Sequence, residues 1–287
     1  MNGDILNIIH DNMSSFSKGQ KRIAAFIMDS YDKAAFMTAS KLGQTVNVSE
    51  STVVRFATEL GYDGYPKMQK ALQKMIRNRL TSVQRIEMAN DQIGNEDVVE
   101  SVLRSDIAKI RSTLDELDHE SFDRAVDSIV NARRIYILGV RSSSALSRFL
   151  AFYFNLIFDN VIEIGSNNVS EDYEQIMRVG KEDVVIGVSF PRYSRRTVKA
   201  MEYAHDRGAS LVAITDSEAS PVAMAADIVL TAKSDMASFV DSLVAPLSLI
   251  NALIVAVSQR RNRDVADTFR QLEKIWDEYD VYQKIDE

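Results

Sequence analysis

Hydrophobic and polar positions follow two different rhythms along the chain. Over the first 86 residues the apolar positions recur at helical spacing. Ile23, Ala24, Ile27 and Tyr31 share one face of a helix, with Ser17 and Gln20 placed as a capping box at its start. Ala39–Thr45 reads as a short helix with Ala39, Leu42 and Gly43 inward, and Val46 and Val48 pin the turn behind it. Val53, Phe56, Ala57 and Leu60 form the next stripe at i, i+3, i+4 and i+7, N-capped by Ser49 and closed by Gly61. After the turn Asp63-Gly64-Tyr65-Pro66, a further helix points Met68, Leu72, Met75 and Ile76 inward.

The rhythm breaks between Met88 and Asp97, where Asn90, Asp91, Gln92, Gly94 and Asn95 give a polar connection. Helical patterns follow at 98–117 and 122–131. Short apolar runs then alternate with helices: 135–138, 161–164, 184–188, 211–214 and 228–230. Runs so rich in Ile, Val and Leu suit strands covered on both faces, as in a parallel sheet with helical crossovers. The expected fold is therefore α plus α/β: an all-helical domain at 1–86, a linker at 87–97, and a three-layer α/β domain at 98–287. The sheet of that second domain is expected to have five parallel strands. Near the C-terminus Val265, Phe269, Leu272, Trp276 and Tyr279 repeat at 4-3-4-3 spacing, too briefly for a free coiled coil, so this helix is expected to pack on its own or a partner domain.

The two helices between residues 38 and 62 have the layout of a DNA-binding helix-turn-helix. Opposite the buried stripe of the second helix stand Ser51, Thr52 and Arg55, close to the N-cap Ser49. A recognition helix presents its N-terminal side chains to base edges, where arginine bonds guanine in bidentate fashion. Lys67 and Lys70, with Lys74 and Arg77, make a basic stripe on the following helix that suits phosphate contact, a solvated face being the plain alternative. Charge supports the DNA reading. Residues 1–86 hold 12 basic and 7 acidic side chains, a balance of +5, which leaves 22 basic and 34 acidic, a balance of −12, for the remainder.

In an open parallel sheet, ligands bind beyond the C-terminal strand ends. Two loops there carry hydroxyls and guanidiniums: Gly139-Val140-Arg141-Ser142-Ser143-Ser144 after the first strand, and Ser189-Phe190-Pro191-Arg192-Tyr193-Ser194 after the third. Each opens a helix, whose free N–H groups favour an anion. Helix capping is the ordinary alternative for any single serine. The chain has no cysteine, which excludes disulfides and thiolate chemistry, and His10, His119 and His205 lack ligand spacing, so no metal or cofactor is expected. Glu171, Glu174 and His205 are available as bases, but nothing sets them over the loops, and no catalytic residue is expected. The start shows no signal peptide and the longest apolar stretches are too short or interrupted to span a bilayer, so a cytoplasmic protein is expected.

With these motifs the chain resembles RpiR-type bacterial transcriptional regulators, in which a helix-turn-helix precedes a sugar isomerase (SIS) domain. The resemblance rests on Val48-Ser49-Glu50-Ser51-Thr52-Val53-Val54-Arg55-Phe56 and Leu60-Gly61-Tyr62-Asp63-Gly64-Tyr65. In the second domain it rests on the two loops, Ile214-Thr215-Asp216, Ser220-Pro221 and Ala226-Asp227. It implies a double-stranded DNA operator, a homo-oligomer of at least two chains, and a phosphosugar or related effector held by Gly139, Arg141, Ser142, Ser143, Ser189, Arg192 and Ser194. Arg141 stands where the usual Gly-x-Gly-x-Ser loop has its second glycine. Pro191 and Arg192 stand where the usual second loop has Ser and Gly, and Ser194 replaces its threonine. Exchange of a hydroxyl for guanidiniums fits a more anionic effector such as a sugar acid. The alternatives are a phosphosugar isomerase, and a regulator whose SIS domain only dimerises.

Overall fold

The computed structural model describes residues 5–77, 83, 86, 97–165, 168–236 and 240–283. The chain divides into two compact units, Met1–Glu87 and Met88–Glu287. The connection expected at 87–97 lies, apart from Asp97, outside the described residues, as do the side chains of Lys74, Ile76 and Arg77.

The first unit is helical: α1 (Ile5–Asp11), α2 (Lys18–Asp29), α3 (Tyr31–Ala34), α4 (Ala39–Thr45), α5 (Glu50–Glu59) and α6 (Tyr65–Arg77). Ser17 and Gln20 form the expected capping box, and Gln20 also donates to Glu59 of α5, so the cap ties two helices together. The stripe of α2 ends sooner than its periodicity predicts. Ser30 leaves helical geometry at φ −131°, and Tyr31 opens α3 instead of closing α2. The core joins Ile5 and Ile9, Ile23 and Ile27, Leu42, Val53 and Phe56, and Met68 and Leu72, all buried, with the Phe16 and Phe56 rings 5.1 Å apart. Ala39 and Met75, expected inside, are only half-buried. Tyr65 is the polar keystone: its hydroxyl donates to the Met37 carbonyl at 2.7 Å, which Gln69 also bonds at 2.9 Å.

The second unit opens with α7 (Val98–Asp115) and α8 (His119–Val130). Asp118 caps α8 at the Glu120 N–H, so this helix begins three residues before the first apolar residue of its stripe. The strands are β1 (Ile135–Gly139), β2 (Val161–Ile164), β3 (Val184–Val188), β4 (Ser210–Thr215) and β5 (Ile228–Thr231), all parallel in the order β2-β1-β3-β4-β5. Helices α9 (Ser143–Phe154), α10 (Val169–Ile176), α11 (Arg195–His205) and α12 (Val244–Arg260) cover them, and α13 (Asn262–Glu278) follows. Alternate strand residues serve opposite faces, which makes three layers. Ile135, Ile137, Ile186 and Val212 pack with α8, α9 and α12, whereas Tyr136, Leu138, Val185 and Leu211 pack with α10 and α11. No helix among the described residues is long and apolar enough to cross a membrane.

Burial pushes the Tyr65 phenol up to about 12, from an ordinary value of 10.0. The unfolded chain therefore loses this proton first as pH rises. The stabilisation is complete below pH 10 and is lost as pH climbs through 10 toward 12. Tyr65→Phe is expected to cost about 1 kcal/mol at neutral pH and to flatten this alkaline loss, both measured by urea unfolding.

Candidate functional site

In the first unit, α4 and α5 meet through a turn that only small or permissive residues allow. A Cβ at Gly43 would stand 2.8 Å from the Val48 carbonyl oxygen, so α4 approaches the turn too closely for any side chain. Asn47 occupies the turn at φ 53°, a left-handed conformation that Asn tolerates. Ser49 then caps α5, accepting from the Thr52 N–H at 3.3 Å. Ser49, Ser51 and Arg55 are exposed around the first turns of α5. Arg55 folds back along the helix, its Nε donating to the Ser51 carbonyl at 3.3 Å. Thr52 is half-buried: its hydroxyl lies 2.8 Å from that of Ser49, and its methyl would sit 3.4 Å from a Cβ at Gly19 of α2. Thr52 thus braces the helix start from behind, with less of its surface presented than Ser51 or Arg55. Lys67 and Lys70 are exposed on α6.

In the second unit the strand order reverses between β1 and β3. Gly139 pairs with Val188 at the C-terminal ends of these neighbours, so the loops at 139–144 and 189–194 leave adjacent points of one sheet edge. Their helices go to opposite faces, α9 to one and α11 to the other. A crevice opens at such a switch point. Gly139 is required there, because a Cβ would meet the Ser143 carbonyl oxygen at 2.7 Å and the Ser147 hydroxyl at 2.8 Å.

The serines of the two loops divide by task. Ser143 is buried, and its hydroxyl has no hydrogen bond among the described residues. Ser142 is exposed and makes no side-chain cap. Ser189 is buried and braces its own loop by accepting from the Ser194 N–H at 3.3 Å. Ser194 caps α11, accepting from the N–H groups of Arg196 and Thr197 at 3.2 and 3.4 Å. Phe190 and Pro191 turn into the protein and anchor the second loop. The two arginines share an unusual backbone: Arg141 has φ 57° and Arg192 has φ 67°. Both stand where sequence comparison with the RpiR pattern expects glycine, so the loops keep a glycine-type conformation while carrying long cations. Both side chains are exposed.

Three features beside the loops are not evident in the sequence. Asp172 of α10, almost fully buried, forms a two-pronged ion pair with Arg196, which raises the affinity of that guanidinium for its proton. Tyr193 donates to Asp216 at 2.8 Å, latching the second loop to the end of β4. Thr197 is wholly buried in the first turn of α11 with an unpartnered hydroxyl oxygen. None has a local pattern, since each depends on a partner brought near by the crossovers. Of the bases considered, His205 is exposed at the last turn of α11, about 15 Å from the helix start that faces the crevice. Glu171 and Glu174 are exposed on α10.

Known proteins match both units. Residues 3–79 match the helix-turn-helix domain of the rpiR family, and residues 128–256 match the SIS domain family. The HTH-type transcriptional regulator HexR of Pseudomonas aeruginosa is 25% identical over 278 residues, 94% of this chain and 95% of its own. An uncharacterised HTH-type transcriptional regulator of Haemophilus influenzae is 29% identical over 231 residues, 79% of each chain. Among solved structures, the sugar isomerase domain of an RpiR transcription factor from Sphaerobacter thermophilus has a TM-score of 0.57 at 27% identity, covering 61% of this chain and 97% of its own. The Vibrio vulnificus NanR protein, solved in complex with ManNAc-6P, has a TM-score of 0.59 at 22% identity, over 95% of this chain and 97% of its own, a likeness of fold.

A left-handed non-glycine residue costs about 1–2 kcal/mol, while glycine gives back about 0.5–1 kcal/mol through the unfolded chain. Arg141→Gly and Arg192→Gly are therefore each expected to stabilise the protein by up to about 1 kcal/mol. Gly139→Ala is expected to destabilise it by about 1–3 kcal/mol through overpacking. Thermal unfolding of the three variants reads both effects.

Proposed function

The chain is an RpiR-type transcriptional regulator, a helix-turn-helix domain of the rpiR family followed by a SIS domain, and on that premise we propose that a phosphosugar or sugar acid bound by residues 98–287 modulates operator binding by residues 1–86. The observation that carries this reading is the pair of arginines, Arg141 and Arg192, held at φ 57° and φ 67° in two loops that leave adjacent strand ends. Strained backbone persists where something offsets its cost, and two guanidiniums at one crevice suit an anionic ligand. Ser143 supplies an unengaged hydroxyl in the first loop. Gly139 lets the first loop approach the ligand, Ser142 is exposed beside it, and Ser189 and Ser194 shape the second loop. NanR, a neighbour in fold, binds ManNAc-6P, which fits a phosphosugar class of effector.

On the DNA side, Ser51 and Arg55 read base edges, Ser49 and Thr52 set the helix start and contact the backbone, and Lys67 and Lys70 reach phosphates. The action is binding without turnover, as the named relatives, which are transcriptional regulators, support. The protein works in the cytoplasm as a homo-oligomer of at least two chains, one per operator half-site. An effector changes operator affinity only if it binds two packings of the subunits unequally. The helices between Val98 and Asn131 carry that change toward the linker at 87–97 and so to the spacing of the recognition helices.

Fluorescence anisotropy with operator and unrelated duplexes, with and without sugar phosphates and sugar acids, tests the assignment. Arg55→Ala should weaken operator binding by roughly 10–100-fold, the worth of one bidentate base contact, and unrelated DNA much less. Equal losses on both duplexes would remove its base-reading role. Ser143→Ala should keep operator affinity while losing the effector response. An unchanged response would place the effector elsewhere.

A further inference from the structure

Two amphipathic helices of the second unit leave apolar stripes uncovered. On α7, Leu103, Ile107, Ile110 and Leu114 repeat at 4-3-4 spacing, and Leu103, Ile107 and Leu114 are 57%, 64% and 64% exposed. The opposite face of α7 is well used: buried Lys109 bonds Ser105 at 2.8 Å, and Asp106 accepts from Ser242 at 2.6 Å. On α13, Phe269, Leu272, Trp276 and Tyr279 repeat at 3-4-3 spacing, and no described residue of the helix is buried. Phe269, Trp276 and Tyr282 stack on one another in edge-to-face pairs, a ridge of rings with little of the protein against it. The helices are 18 and 17 residues long, about 25 Å each, and their stripes match in length.

Charge selects the occupant. Arg104 and Arg111 each follow an apolar position of the α7 stripe, on the same flank. Glu273 stands in the same relation to Leu272, and the flank ends there because the helix closes at Glu278. Antiparallel helices turn the same flank toward each other. Two copies of α7 would set arginine against arginine, and two copies of α13 would set carboxylate against carboxylate. Pairing α7 with α13 opposes unlike charges.

We propose that α13 of one chain packs antiparallel on α7 of a second copy, and that the contact is repeated about a twofold axis. The register that pairs the unlike charges sets Arg111 against the partner's Glu273. It layers Ile107 on the partner's Tyr279, Ile110 on the partner's Trp276, and Leu114 on the partner's Leu272. Arg111 makes no ion pair among the described residues, whereas Arg104 already pairs with Glu100 within its helix, so the Arg111–Glu273 contact dominates. The interface deepens the reading of the protein as an oligomer and rests on it. It also gives α7, the first helix after the linker, a direct dependence on how two chains pack.

Light scattering and sedimentation of the full-length chain test this. Arg111→Glu and Glu273→Arg should each raise the dimer dissociation constant about tenfold or more, and the double reversal should return it to within about threefold of the original. All these positions are exposed, so circular dichroism should be unchanged. Because the chain has no cysteine, Leu114→Cys combined with Leu272→Cys gives a clean cross-linking assay. A short bismaleimide should yield a covalent dimer. A dimer that ignores both reversals and does not cross-link overturns this interface while leaving the oligomer reading intact. A wild-type chain that stays monomeric at tens of micromolar overturns both.

Discussion

The parallel pairing of β1 with β3 is the constraint from which the proposed effector site follows. Parallel strands need crossovers, and when the crossovers from neighbouring strands go to opposite faces, their loops part and leave a crevice between them. Here the two loops leave neighbouring strand ends at Gly139 and Ser189. The strand interior supplies little chemistry, since β1 and β3 are apolar and buried throughout. Everything polar is delivered by the two loops, and the rest of the unit fixes how they leave the sheet. Gly139 admits α9 close to the strand end, Phe190 and Pro191 anchor the second loop, and the Asp172–Arg196 pair holds α10 to the start of α11.

The positive backbone angles at Arg141 and Arg192 set stability against the ligand-binding role proposed for this site. Glycine would relax both loops, yet both carry arginine. In one loop that leaves an exposed guanidinium without a partner among the described residues, in the other an exposed guanidinium beside a latched Tyr193. The helical unit follows the same economy of polar groups. Tyr65, Gln69 and Gln20 each use a single buried or half-buried polar side chain to tie separate helices, which leaves the outer face of α5 clear for Ser51 and Arg55.

Local signals were legible in the sequence where the cause is local. Ser17 with Gln20, Ser49, and the strands at 161–164 and 184–188 stand as their patterns predict, because capping and burial periodicity act over a few residues. The start of α8 was misplaced because Asp118 caps it before its apolar stripe begins, and Ser30 ends α2 ahead of an apparent continuation at Tyr31. Asp172 with Arg196, and Tyr193 with Asp216, were not legible, because residues 24 and 23 positions apart meet only through crossovers. The stripe of α13 was legible as a stripe. That its own domain covers the stripe at Val265 and leaves no residue of it buried from Phe269 onward became visible only in the fold.

A thermal-shift titration of the full-length protein with sugar phosphates, sugar acids and the matching neutral sugars tests the central claim most directly. Ligand that binds only the folded state stabilises it by mass action, by about 2.7 kcal/mol at a hundredfold excess over its dissociation constant. Saturable stabilisation is expected from at least one anionic sugar, none from its neutral counterpart, and loss of the effect when Arg141 and Arg192 are both replaced by glycine. No stabilisation by any anionic sugar, or equal stabilisation by its neutral counterpart, would contradict that claim.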